Sequence, residues 1–195
     1  MRRRCIWASI LGLAVASAVA APACSTGAPP GRVSCTATDG TIFILAAQAV
    51  PSATLLPCVA TFPAGWMFDG SDVRSGDATF WLDNDRAGIR SVEVHLTRSC
   101  DVGDAVEVAP GPDEAGTRRF EQPISLRPAY QANRYYVFEG GCVTYRFRFM
   151  PGAATTLALE VDEALSFRPR APLVELVRKE FGETLCGAGA PPCAG

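Results

Sequence analysis

The clearest periodicity in the chain runs from Cys142 to Phe149, where Val143, Tyr145, Phe147 and Phe149 alternate with Cys142, Thr144, Arg146 and Arg148. A period of two sends successive side chains to opposite faces of a strand, so the first set is assigned to a core and the second to the other face. Ile89 to Leu96 alternates in the same way, with Val92, Val94 and Leu96 opposed to Ser91, Glu93 and His95. Ala78 to Leu82 precedes it across Asp83-Asn84-Asp85-Arg86-Ala87-Gly88, a stretch dense in turn formers that predicts a hairpin. Tyr135 to Phe138 forms a second strand pair with Cys142 to Phe149 through Glu139-Gly140-Gly141. Thr41 to Ala47 is an unbroken apolar run with β-branched and aromatic residues and is read as a buried strand. Pro51 and Pro57 place Cys58 in or beside a turn. Two stretches read as loops. One is Phe62 to Gly76, with Pro63, Gly65, Gly70 and Gly76; the other is Asp101 to Arg119, with Pro110, Gly111, Pro112 and Gly116.

Beyond Ala153 the spacing changes. Leu157, Val161, Ala164 and Leu165 follow a helical period up to Pro169. Pro172 suits the first turn of a second helix, whose stripe is Leu173, Leu176, Val177 and Phe181 and whose end is marked by Gly182. Strands first and helices last predict an α+β fold: an antiparallel sheet with two C-terminal helices packed on one face, bridged by disulfides.

The N-terminus has a different pattern. Arg2, Arg3 and Arg4 precede an apolar stretch, Ile6 to Ala20, followed by small residues. This is the three-part order of a secretion signal, too short for a comfortable spanning helix. Residues 1–23 are therefore expected to be a leader, 24–34 a flexible tether, 35–186 one domain, and 187–195 a tail. The whole chain is 48% hydrophobic and 19% charged, which permits a core. Removing the three leader arginines from the 18 basic residues leaves 15 against 20 acids. A mildly acidic domain without a basic run is a poor partner for nucleic acid.

The cysteines bear on compartment and anchoring. Ala18-Val19-Ala20 suits ordinary signal peptidase, whereas Ala21-Pro22-Ala23-Cys24 resembles a lipobox, departing from it at Ala21 and Pro22. Cutting after Ala20 leaves seven cysteines, an odd number. Lipid on Cys24 leaves six: Cys35, Cys58, Cys100, Cys142, Cys186 and Cys193, fit for three disulfides outside the cytoplasm. Parity favours the lipidated form, with the flexible segment from Ser25 to Gly31 as its stand-off. Cys186 and Cys193 enclose only Gly, Ala and Pro, Cys100 and Cys142 lie at strand ends, and Cys35 and Cys58 flank the run from Thr41. The expected bridges are Cys35–Cys58, Cys100–Cys142 and Cys186–Cys193. Cys35–Cys142 with Cys58–Cys100 is the open alternative.

Several short segments carry a resemblance. They are Ala47-Gln48-Ala49-Val50-Pro51-Ser52-Ala53, Leu56-Pro57-Cys58, Pro63-Ala64-Gly65-Trp66, Phe80-Trp81-Leu82-Asp83 and Asp85-Arg86-Ala87-Gly88. Arg119-Phe120-Glu121, Arg134-Tyr135-Tyr136-Val137-Phe138 and Gly140-Gly141-Cys142-Val143-Thr144-Tyr145 continue it. Together, over roughly residues 45 to 180, they resemble a family of uncharacterised exported or membrane-tethered actinobacterial proteins. The resemblance implies a compartment and a fold but no activity.

No pattern commits the chain to a chemistry. His95 is the single histidine, Glu93 shares its strand face, and no nucleophile elbow is present, so no catalytic residue, metal site or cofactor is assigned. Asp83, Asp85 and Gly88 lack the further ligands of a calcium loop and read as a turn. Trp66 and Trp81, with Phe62, Phe68 and Phe80, are read as core or loop anchors, with a sugar platform as the other reading. The candidate anion-binding patch is Arg134, Arg146 and Arg148, whose competing fate is to pair with Glu93 or Glu121. The expectation is a non-catalytic binding or interaction module, lipid-anchored on the outer face of the cytoplasmic membrane or else secreted. Its partners would be the membrane, reached through the anchor, and an envelope polymer or a membrane protein. The alternative is an envelope glycan hydrolase using acids between Asp69 and Asp85.

Overall fold

The computed structural model describes residues 33–36 and 41–193; the leader, Cys24 and most of the tether lie outside the described residues. The chain opens with helix α1 (Thr41–Ala49), strand β1 (Leu55–Val59) and strand β2 (Trp66–Arg74). Next come β3 (Asp77–Asn84), β4 (Gly88–Thr97), the short β5 (Val106–Val108), a 3-10 turn (Pro112–Glu114), β6 (Arg118–Ser125), β7 (Gln131–Phe138) and β8 (Gly141–Arg148). Helix α2 (Thr156–Asp162), β9 (Leu165–Pro169) and helix α3 (Ala171–Phe181) end the fold.

Seven strands form one antiparallel sheet in the order β2-β3-β4-β8-β7-β6-β5, and β1 pairs with β9 in a separate two-stranded ribbon. The fold is α+β, as the change of period implies. The alternating residues set the register: Val92 faces Phe147, Val94 faces Tyr145 and Leu96 faces Val143 across β4 and β8. All six are buried in the main core. On this inner side Phe167 of β9 stacks on Tyr145 at an interplanar angle of 10°, and Leu157, Val161, Leu173 and Val177 add the buried stripes of the two C-terminal helices. Among the described residues the other face is left open around Trp81, Glu93 and Arg146, and is covered over part of β6, β7 and β8 by the loop carrying Cys100, Val102 and Ala105.

Several expectations about the elements are corrected. Thr41–Ala49 is a helix, burying Phe43, Ala46, Ala47 and Ala49. An apolar run packed on several sides has no polar phase, so its period does not separate helix from strand. Cys58 lies in β1 rather than a turn. Pro57 is tolerated there because β1 carries a full ladder only on its β9 side, with a single bridge from Ser34 to Val59 on the other. Most of the stretch from Phe62 to Gly76 is β2, an edge strand with a bulge between Phe68 and Gly70, a position that accommodates Gly and Asp. The helix from Ala153 stops at Asp162, and Leu165 to Pro169 turns extended as β9. Phe181, expected on the buried stripe of α3, is exposed. The stretch from Asp101 to Arg119 is mostly loop but holds β5 and the 3-10 turn.

The three disulfides join Cys35 to Cys58, Cys100 to Cys142 and Cys186 to Cys193. The middle bridge pins the loop after β4 to the start of β8. There Phe120, Tyr135 and Cys142, with Cys100, Val102, Ala105 and Val137, make a small second core. The last bridge closes a loop seated on Arg170, which is 1% exposed and donates to the carbonyls of Ala188 and Cys186, both at 2.5 Å, and of Ala47 at 3.4 Å. Among the described residues no carboxylate forms an ion pair with this cation. Its charge is met by carbonyl dipoles, and burial pushes its pKa below the usual arginine range.

Candidate functional site on the open sheet face

Strand parity divides the three candidate arginines. Arg146 pairs across β7 and β8 with Asn133, whereas Arg134 pairs with Tyr145, so Arg134 lies on the core side. This corrects the expected three-arginine patch: a one-residue difference in register sends a side chain to the opposite face. Arg134 is buried, with an ion pair to Asp162 of α2 and a second to Glu121 at 3.4 Å. Its guanidinium lies 4.8 Å from the centre of the Phe147 ring. Arg119 joins the same cluster, at 2.9 Å from Glu114, 2.5 Å from Glu121 and 3.3 Å from Asp162. Burial opposes its charge, but Tyr136, Asp162, Glu121 and Glu114 outweigh that and hold its pKa above the usual range. The cluster fastens α2 and the 3-10 turn to the inner face of β6 and β7.

On the open face a row crosses the central strands: Trp81 of β3, Glu93 of β4, Arg146 of β8 and Asn133 of β7 are successive cross-strand partners. Glu93 holds the row together. It accepts from Trp81 Nε1 at 2.8 Å, from Arg146 at 2.9 Å and from His95 Nε2 at 2.5 Å. Burial raises the Glu93 pKa, but these three donors outweigh it and hold the carboxyl down to about 2. His95 Nδ1 lies 2.9 Å from the Thr79 hydroxyl, which donates to Asp77 at 2.7 Å. Thr79, His95 and Glu93 thus form a hydroxyl–imidazole–carboxylate chain of the kind used in nucleophilic catalysis. Two features set it apart from a working triad. The Thr79 side chain is buried and already spends its proton on Asp77. The N–H groups around it lie in the plane of β3, a strand paired on both sides, so they do not project towards an oxyanion above the face.

The other expected residues disperse. Asp69 binds Arg90 at 2.7 Å, Asp72 binds Arg74 at 2.5 Å, Asp83 accepts the Arg90 backbone N–H at 2.6 Å, and Asp85 lies 3.9 Å from Arg86. The turn is held by Asn84, whose side-chain oxygen accepts the N–H groups of Arg86 and Ala87. Among the described residues no group of three His, Cys, Asp or Glu side chains converges to hold a metal. Trp66 packs on the inner side against Phe149, Phe80 is buried with it, and Phe62 and Phe68 lie against the same core. Trp81 alone of these aromatics joins the open face. Arg90 covers its ring, with the guanidinium 4.3 Å from the ring centre. Sequence reasoning passed over Arg90, whose φ of 48° at the bulged start of β4 turns it onto the face. Arg148, exposed two residues beyond Arg146, makes no ion pair among the described residues.

Concave space lies elsewhere. A cavity of about 20 Å3 between α1 and the sheet is lined by apolar residues including Ile42, Phe43 and Phe80, and holds no more than about one water. A wide groove of about 420 Å3 beside Ala60, Thr61 and Pro63 carries Glu160 and Glu163 and has no aromatic lining. No described helix is long and apolar enough to cross a membrane.

No protein-family model matches the chain, and no curated protein matches it. Among solved structures, a crystal structure of a protein from Bacteroides thetaiotaomicron VPI-5482 aligns with a TM-score of 0.32 at 11% identity. The alignment covers 68% of this chain and 63% of that protein's length. A likeness of that size carries no argument about fold or function.

Proposed function

We propose that the protein is a non-catalytic interaction domain of the cell envelope, held on the outer face of the cytoplasmic membrane by lipid on Cys24. It presents its open sheet face to a wall polymer or to a membrane-protein partner. The observation that carries this reading is the pre-ordered row Trp81–Glu93–Arg146, flanked by Arg148, which makes no ion pair among the described residues, on a face that no described helix covers. Side chains already fixed by mutual bonds lose little entropy when a ligand docks, which favours binding. The three disulfides suit an oxidising compartment. The acids between Asp69 and Asp85 engage Arg90, Arg74, Thr79 and Arg86, and none of them lines the groove beside Ala60. The same reading takes up the likeness to exported actinobacterial proteins.

Two measurements test it. Mass spectrometry of the membrane fraction is expected to find a diacylated N-terminus at Cys24; an unmodified protein starting at Ala21 in the medium refutes the anchor. Retention of the protein on isolated cell-wall or membrane-protein fractions is expected to fall at least fivefold in the double variant Arg146→Ala/Arg148→Ala. Equal retention of the two proteins refutes the open face as the binding surface.

A further inference from the structure

The imidazole of His95 sits between two carboxylates on the open face. Its Nε2 lies 2.5 Å from Glu93 Oε1, and its Nδ1 lies 2.9 Å from the Thr79 hydroxyl and 3.3 Å from Asp77 Oδ2. The partners on each side fix where the protons are. Glu93, with a pKa of about 2, is ionised and can only accept, so the contact at Nε2 calls for an N–H there. The Thr79 hydroxyl has one proton and donates it to Asp77 Oδ1 at 2.7 Å, so towards Nδ1 it can only accept. A lone pair on Nδ1 would face the hydroxyl oxygen and the Asp77 carboxylate together. Donors on both ring nitrogens describe an imidazolium, the one protonation state of histidine that satisfies all three neighbours.

That proton sets the charge beside Arg146. Asp77, Glu93, His95 and Arg146 balance to zero while the ring is an imidazolium. Arg146 Nη1 lies 3.2 Å from His95 Nε2, and the two cations share Glu93 Oε1. From β2, Asp72 and Arg74 stand in register with Thr79 and Asp77 and hold each other at 2.5 Å. From β8, the residue opposite His95 is the uncharged Thr144. The proton leaves most readily from Nδ1, because Thr79 can turn its hydroxyl from Asp77 to the bare nitrogen, whereas Glu93 has no proton to offer Nε2. The Asp77 side chain is 41% exposed, so water takes the place of the hydroxyl there. The ring keeps its bond to Glu93, but the four groups then carry one negative charge.

We propose that His95 is a proton-operated switch on the open face: with the imidazolium in place Arg146 and Arg148 meet an anionic ligand group, and loss of the proton sets an uncompensated carboxylate beside them and weakens that binding. The inference rests on the reading of this face as the binding surface and adds its regulation. Histidine is the side chain whose charge ordinarily changes between about pH 5 and pH 8. A domain outside the cytoplasm meets the pH of its surroundings directly, so such a face grips in acid and releases in alkali.

The chain has a single histidine, so the exported protein carrying Cys24→Ser and labelled with nitrogen-15 at histidine reports this ring alone. NMR of the ring nitrogens from pH 6 to pH 9 is expected to pass from the imidazolium to the Nε2–H tautomer. Asp77→Asn removes one of the two carboxylates and is expected to move the midpoint down by at least about half a pH unit. Equal midpoints in the two proteins overturn the proposal, and so does a neutral ring with its proton on Nδ1. Retention on isolated cell walls is then compared at pH 6 and pH 9. The parent is expected to lose at least threefold at pH 9. His95→Gln keeps a donor for Glu93 and cannot titrate, and is expected to be retained alike at both. Unchanged thermal midpoints show that the variants are folded. Equal retention of the parent at both pH values overturns the proposal, as does a loss of the same size in His95→Gln. Failure of the binding-surface reading is distinct: it shows as equal retention of the parent and Arg146→Ala/Arg148→Ala at pH 6, and it overturns the proposal through its premise whatever the ring titration reports.

Discussion

The indole N–H of Trp81 donates to Glu93 Oε2 at 2.8 Å across β3 and β4. This bond makes the carboxylate, already held by Arg146 and His95, the centre of the open face. Trp81→Phe keeps the ring beneath Arg90 and removes one donor. A hydrogen bond to a charged group is worth up to about 3 kcal/mol, and partial solvent exposure of Glu93 reduces the expected loss to about 1 kcal/mol. Urea unfolding at pH 7 measures it.

Glu93 also makes stability depend on pH. Its folded pKa of about 2 lies below the ordinary 4.5, so its contribution is complete above about pH 4.5 and disappears as pH falls towards 2. The stability difference between the parent and Glu93→Gln is expected to shrink through that window and to be constant from pH 5 to 7. Unfolding curves at pH 7, 5, 3.5 and 2.5 check it; a difference that does not change with pH contradicts the assigned cause.

Arg134 and Asp162 share a buried ion pair. Asp162→Ala leaves two guanidinium groups with fewer counter-charges and is expected to cost about 3–5 kcal/mol. The double variant Arg134→Met/Asp162→Leu is expected to cost much less than the sum of the single changes, because no charge is then stranded. A double-mutant cycle by chemical denaturation measures the coupling.

Arg170 holds the C-terminal loop by donating to Ala188 and Cys186. Arg170→Met keeps the stem and leaves those carbonyls without their donor, at an expected cost of about 2–3 kcal/mol. Limited proteolysis is expected to cut beyond Leu185 faster in this variant, with the rest of the domain intact.

The Cys100–Cys142 bridge closes 42 residues. Replacing both cysteines with Ser is expected to lose about 4 kcal/mol in the chain-entropy model and to expose Phe120 and Tyr135 of the small second core. Non-reducing peptide mapping of the parent should recover Cys100 joined to Cys142; a peptide joining Cys58 to Cys100 contradicts this pairing.

The sequence by itself determined the alternating central strands, the phase of their buried residues, the α3 helix and the Cys186–Cys193 bridge, and it left Cys35–Cys142 with Cys58–Cys100 open against the pairing observed. Each feature so determined follows from a local rule. A half-buried strand must alternate, a helix must repeat near 3.6, and cysteines near in sequence can reach each other. Only the tertiary structure decided whether Thr41–Ala49 coils or extends, because a segment packed on several sides carries no polar phase. It also decided that β2 and β9 are strands, since a bulged edge strand and a five-residue ribbon take their hydrogen bonds from distant partners. The site divides the same way. The alternation of Cys142 to Phe149 placed Arg146 and Arg148 on the open face, but Arg134 begins no such pattern. Its burial opposite Tyr145 depends on the β7–β8 register and on Asp162, 28 residues along the chain. A long-range ion pair leaves no periodic trace in either segment that forms it, because its two members are selected by proximity in space.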